Sequence, residues 1–193
     1  MKLLLSSYSL EPFPLEESFL LAQEIGADGV ELVLTPQAVG TGFDKIKSLS
    51  DEYKVPVLNI HQPPWGIFFT GKRGIKKLVD KAKFLGARAV TAHLATVRRK
   101  PNSSFFYWVK ELEKESGVSV AFENGISCLE SWPAYATDPE KLDRFVAKRK
   151  VAITLDVPKA AITGTDPYQF FQVHRAEVKV IHAHGFKGKD YHF

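Results

Sequence analysis

The chain has 193 residues, enough for one domain with a real hydrophobic core. Its apolar share of 45% and charged share of 25% are those of an ordinary globular protein, not of a disordered or fibrous one. A net charge of +4 permits phosphate or nucleic-acid partners without demanding them, and the single cysteine, Cys128, excludes an internal disulfide. No apolar run reaches the roughly 18 residues that a membrane-spanning helix needs. Met1 to Leu5 is apolar apart from Lys2, but Ser6, Ser7 and Tyr8 cut it short and Glu11, Glu16 and Glu17 follow. A first strand fits this segment better than a signal peptide, and a cytoplasmic location is expected.

Seven short apolar runs recur along the chain: Lys2 to Ser6, Gly29 to Leu34, Val55 to Ile60, Ala87 to His93, Val118 to Glu123, Val151 to Asp156 and Val178 to His184. Their starts lie 27, 26, 32, 31, 33 and 27 residues apart, close to the length of a strand–helix–strand unit. Each run is nearly continuous in apolar residues, as parallel strands covered on both faces require. Helical spacing fills the gaps. Leu15, Phe19, Ala22 and Ile25 precede Gly26; Ile75, Leu78, Val79, Ala82 and Leu85 precede Gly86; Phe105, Trp108, Val109 and Leu112 precede Gly117. Asp138-Pro139 and Asp166-Pro167 each present an N-cap followed by proline in the first helical position.

Regular alternation without reversal of order predicts a single domain over residues 1–193, a short parallel (β/α) barrel of the TIM type. Such a barrel has eight strands and about 250 residues. Seven strand–helix units are visible here, and the eighth is missing before Phe193. An open seven-stranded sheet leaves an exposed edge, so a homo-oligomer is expected.

Polar residues gather where the runs end: His61 after the third, His93 at the fourth, Glu123 and Asn124 at the fifth, Asp156 at the sixth, and His182, His184, Asp190 and His192 at and beyond the seventh. In a parallel barrel these positions share one mouth, where active sites form. Five of the six histidines belong to this set, and only His174 falls on a helix. Imidazole with carboxylate suits a divalent Mn, Co, Zn or Fe ion. Carboxylates at the ends of apolar runs are costly when buried alone, and a metal removes that cost.

The segments Ile25 to Leu32, Ile60-His61-Gln62-Pro63-Pro64-Trp65, Phe122-Glu123-Asn124-Gly125, Leu155-Asp156-Val157-Pro158-Lys159 and Ile181-His182-Ala183-His184 carry a resemblance. Over nearly its whole length the chain resembles the xylose-isomerase-like TIM-barrel superfamily, which holds sugar and sugar-phosphate isomerases and epimerases as well as endonuclease IV. The resemblance implies a shared metal held by Glu123, Asp156 and His182. The superfamily's fourth ligand, a glutamate after the eighth strand, has no counterpart. The further histidines and aspartate of endonuclease IV match His61, His93, Asp190 and His192, while Lys159 stands where that enzyme has another histidine. A lysine ammonium repels a metal at that position.

Three functions follow as expectations. The first is a metal-dependent isomerase or epimerase of a sugar or sugar phosphate. There the metal polarises a carbonyl and stabilises an ene-diolate, with Glu123 as ligand and proton carrier and Lys159 facing an oxyanion or phosphate. Trp65, Asn124 and His184 are the expected substrate contacts. The second is an apurinic-site phosphodiesterase like endonuclease IV, using the basic Arg98-Arg99-Lys100 and the aromatic Phe105-Phe106-Tyr107-Trp108 on nucleic acid. The third is a non-catalytic barrel that binds a metal or small ligand, with Trp65, Phe68 and Phe69 lining a pocket.

Overall fold

The computed structural model describes residues 1–63, 71–93, 103–125 and 138–184. Seven strands alternate with helices, and strand order follows chain order from β1 to β7. The strands are β1 (Leu4–Ser6), β2 (Gly29–Val33), β3 (Val57–His61), β4 (Ala89–His93), β5 (Ser119–Glu123), β6 (Ile153–Asp156) and β7 (Val178–His182). The helices are α1 (Leu15–Glu24), α2 (Pro36–Thr41), α3 (Phe43–Glu52), α4 (Gly71–Leu85), α5 (Ser103–Ser116), α6 (Pro139–Arg149), α7 (Val157–Ile162) and α8 (Pro167–Val173). All seven expected strands are present, with ends trimmed: β6 starts at Ile153 rather than Val151, and β7 stops at His182 rather than His184. No eighth strand lies among the described residues. No helix among them is long and apolar enough to cross a membrane.

The chain forms two compact units, Met1–Val90 with Glu113–Val118, and Thr91–Leu112 with Ser119–Phe193. In the first, β1 pairs with β2 and β2 with β3, all parallel. Every residue of β2 is buried, as a strand covered on both faces demands. Gly29 opens β2 because a Cβ there would lie 2.5 Å from the Pro56 carbonyl oxygen. Phe19 and Ala22 of α1, Ile46 and Leu49 of α3, and Ile75, Leu78 and Ala82 of α4 are buried at helical spacing. Gly86 ends α4 with φ at 75°, a conformation that costs glycine little. Ile25 departs from the helical pattern read in the sequence: it follows α1 and is 52% exposed.

In the second unit, β5 pairs with β6 and β6 with β7, again parallel. Phe105 and Phe106 of α5 pack on Phe122 of β5, with ring centroids 6.3 and 5.7 Å away. Both are buried, so this pair belongs to the core and is not available for stacking on bases; Tyr107, by contrast, is 67% exposed. The Thr91 and Thr154 hydroxyls, from β4 and β6, meet at 2.9 Å inside this unit. The two expected caps are present. Asp138 accepts from the Lys141 amide, and Asp166 from the amides of Tyr168 and Gln169.

Candidate metal and active site

The second unit brings together the ends of β4, β5, β6 and β7. Glu123, the last residue of β5, is 1% exposed, and Asp156, the last residue of β6, is 2% exposed. Neighbouring strands in register set this meeting: Glu123 faces Thr154 on β6, and Asp156 faces His182 on β7. Asp156 and His182 are therefore level across β6 and β7, and Glu123 stands two positions back along the sheet, close enough for its side chain to reach the same groups.

Glu123 uses both oxygens. Oε1 accepts from Lys159 Nζ at 3.0 Å and lies 2.9 Å from His182 Nδ1, while Oε2 lies 3.0 Å from His93 Nε2. Asp156 divides its own. Oδ1 caps α7 by accepting the Lys159 backbone N–H at 2.8 Å. Oδ2 turns to the site, 3.2 Å from Lys159 Nζ, 3.4 Å from His184 Nε2 and 3.9 Å from His182 Nδ1. Asn124 holds this arrangement from behind: its amide donates to the Asp156 carbonyl at 3.1 Å and accepts the Asp156 N–H at 2.7 Å. Both ends of the amide are thus engaged by the Asp156 backbone.

Lys159 sits between the two carboxylates. Burial by itself pulls its ammonium pKa down, but the charges of Glu123 and Asp156 and their hydrogen bonds outweigh that, and the net shift is upward. The lysine is therefore a cation at neutral pH.

His93, Glu123, Asn124, Asp156, Lys159, His182 and His184 are thus assembled as one cluster. His61 belongs to the first unit, where it ends β3, is buried and turns Nδ1 to the Gln62 carbonyl. Trp65, Phe68, Phe69, Arg98, Arg99, Lys100, Asp190 and His192 lie outside the described residues. His174, the histidine read as helical, caps the end of α8 and pairs with Asp143 at 2.7 Å, away from the cluster. One buried carboxylate was not singled out from the sequence as a site candidate. Glu31 of β2 accepts from Asn59 Nδ2 of β3 at 2.6 Å. Its signal was a carboxylate inside an otherwise apolar run.

No protein-family model matches the chain. An uncharacterized protein of Mycobacterium leprae is 36% identical over 128 residues, which cover 62% of this chain and 45% of that protein. The match therefore spans just under half the length of this curated relative. Among solved structures, the 3-keto-D-glucoside 4-epimerase YcjR of E. coli aligns over 94% of this chain and 78% of its own, with TM-score 0.70 at 14% identity. A family 2 AP endonuclease of Brucella melitensis aligns over 94% and 78%, with TM-score 0.69 at 18% identity. The IolI protein with a bound zinc atom aligns over 86% and 66%, with TM-score 0.65 at 17% identity. Enzymes of different chemistry share this fold, so the likeness establishes architecture and leaves function to the site. The chain has the xylose-isomerase-like TIM-barrel fold, with seven strands among its described residues.

Proposed function

We propose that the chain carries the site of a divalent-metal-dependent isomerase or epimerase acting on a sugar or sugar phosphate. The observation that carries this reading is the convergence of the buried Glu123 and Asp156 with His182 and His93 at the strand ends. The donor set fits a cation of the Mn, Co, Zn or Fe class, since imidazole and carboxylate are its usual ligands.

Glu123, Asp156 and His182 would hold the metal, with His93 beside them; His61, Asp190 and His192 enter the proposal through the family resemblance. When bound, the metal supplies Lewis acidity toward a carbonyl and its neighbouring hydroxyl. The chain's own groups do the rest. Glu123 would carry a proton, and Lys159 would donate a hydrogen bond to a developing oxyanion or a substrate phosphate. Asn124 keeps Asp156 in place through its backbone, a positioning role of the kind that outer ligand partners play. His184, at the more open edge of the cluster, is the proposed substrate contact, together with Trp65.

The test is a panel of ketoses and ketose phosphates incubated with Mn, Co, Zn or Fe and followed by NMR for exchange at the carbon next to the carbonyl. Metal-dependent epimerisation that disappears in Glu123→Gln is the expected result. A panel with no such turnover, on protein shown to bind metal, overturns the reading. The apurinic-site nuclease stands second, because its aromatic stretch contributes Phe105 and Phe106 to the core instead of to a binding face.

A further inference from the structure

We propose that Lys159 is a built-in competitor for the metal position, occupying the two oxygens a cation would take and so setting the metal affinity of the site. The inference rests on the metal reading above and adds a regulator to it.

Lys159 Nζ lies 3.0 Å from Glu123 Oε1 and 3.2 Å from Asp156 Oδ2. On Asp156 this is the oxygen turned to the site, the other being used to cap α7, and on Glu123 it is the oxygen that also lies 2.9 Å from His182 Nδ1. A metal ligated by both oxygens would sit about 2.0–2.2 Å from each. The ammonium holds these same two oxygens, and two cations drawn to one pair of oxygens repel each other strongly, so metal and ammonium compete for them.

The lysine is built to give way. Its backbone is pinned, since the Asp156 carboxylate holds the Lys159 N–H at 2.8 Å. Its side chain is not: it is 24% exposed and reaches the oxygens on a flexible four-carbon stem. The root stays fixed while the ammonium can swing toward solvent. In the metal-free protein the lysine keeps two deeply buried carboxylates paired, which they need. When a metal enters, the displaced ammonium is released beside the site, where it can meet an anionic substrate group. One residue thereby exchanges a structural partner for a substrate partner.

The experiment is equilibrium titration of the full chain with Zn and with Mn by calorimetry, on wild type, Lys159→Met and Lys159→Arg, with thermal melts of each metal-free protein. Removing the charge should tighten binding of both metals by roughly tenfold or more, and lower the metal-free melting temperature below wild type, with metal restoring it. Arginine keeps the charge and grips carboxylates with a planar fork, so Lys159→Arg should bind metal more weakly than wild type. Equal affinities in wild type and Lys159→Met overturn the competitor role and leave the metal reading standing. Absence of binding in both overturns the two together. If the methionine variant does not fold, the arginine variant decides: affinity equal to wild type sinks the proposal.

Discussion

Two regions bury carboxylates on strands, and they treat them differently. In the first unit, Glu31 on β2 accepts a hydrogen bond from the Asn59 side chain on β3 at 2.6 Å, a neutral donor that does not change charge. In the second unit, Glu123 and Asp156 face Lys159, His93, His182 and His184, groups that carry or can take up a charge. Burying a carboxylate demands a partner in either case. An amide partner makes a pin in the packing. Imidazoles and an ammonium, gathered at strand ends, make a place where a metal or an anionic substrate can exchange with the protein's own groups. Burial of an acidic residue thus does not by itself mark a site; the chemistry of its partners does.

The sharpest break of that contrast is Glu123→Gln. The amide keeps the shape but not the charge, and metal affinity should fall by more than the roughly 10- to 100-fold that loss of an outer ligand partner costs. Elemental analysis of the purified variant beside wild type reads this directly; equal metal content would dissolve the distinction between the two regions. Asn124→Ala comes next. Without the clamp on the Asp156 backbone, metal affinity should drop roughly 10- to 100-fold while Glu123 and His182 stay in place, as titration of the variant would show.

Glu31→Ala should act only on stability. Leaving the Asn59 amide without this acceptor should cost about 1–3 kcal/mol in urea unfolding. Its metal affinity should match wild type, and a tenfold change there would mean that Glu31 belongs to the chemistry after all. The smallest effect is a pH response at the start of α6. The hydrogen bond from the Lys141 side chain, and then that from its backbone N–H, hold the Asp138 carboxyl below its ordinary value. A carboxyl lowered in the folded state contributes stability that is full above the ordinary carboxylate range and is lost as pH falls through the lowered value. Thermal melts from pH 6 to pH 3 should therefore show wild type losing slightly more stability than Asp138→Asn, an effect confined to α6 and without consequence for metal binding.

Much of the architecture was legible in the chain because its signals are local. A β-branched run, a helical stripe such as Ile75 to Leu85, a glycine after the last turn and an Asp-Pro cap each act within a few residues, and each appears where the pattern put it. The candidate site was legible for a related reason: in parallel strands, polar residues at the ends of apolar runs emerge at the same end of the sheet, as Glu123, Asp156 and His182 do. Helical spacing alone misled at Ile25, which meets the stripe in sequence but falls just beyond α1, where the chain has turned out to solvent.

The sequence by itself determined the strand–helix alternation, the caps and the set of residues that reach the strand ends, since these depend on periodicity and on backbone preferences of single residues. Only the tertiary structure decided who partners whom. It placed Lys159 on Glu123 and Asp156, turned the Asn124 amide to the Asp156 backbone, gave Glu31 its Asn59 partner and sent Phe105 and Phe106 into the core on Phe122. The reason is physical. A side chain's partner depends on register between strands and on which face a helix presents, and both are settled by packing between segments far apart in the chain, which no local pattern encodes.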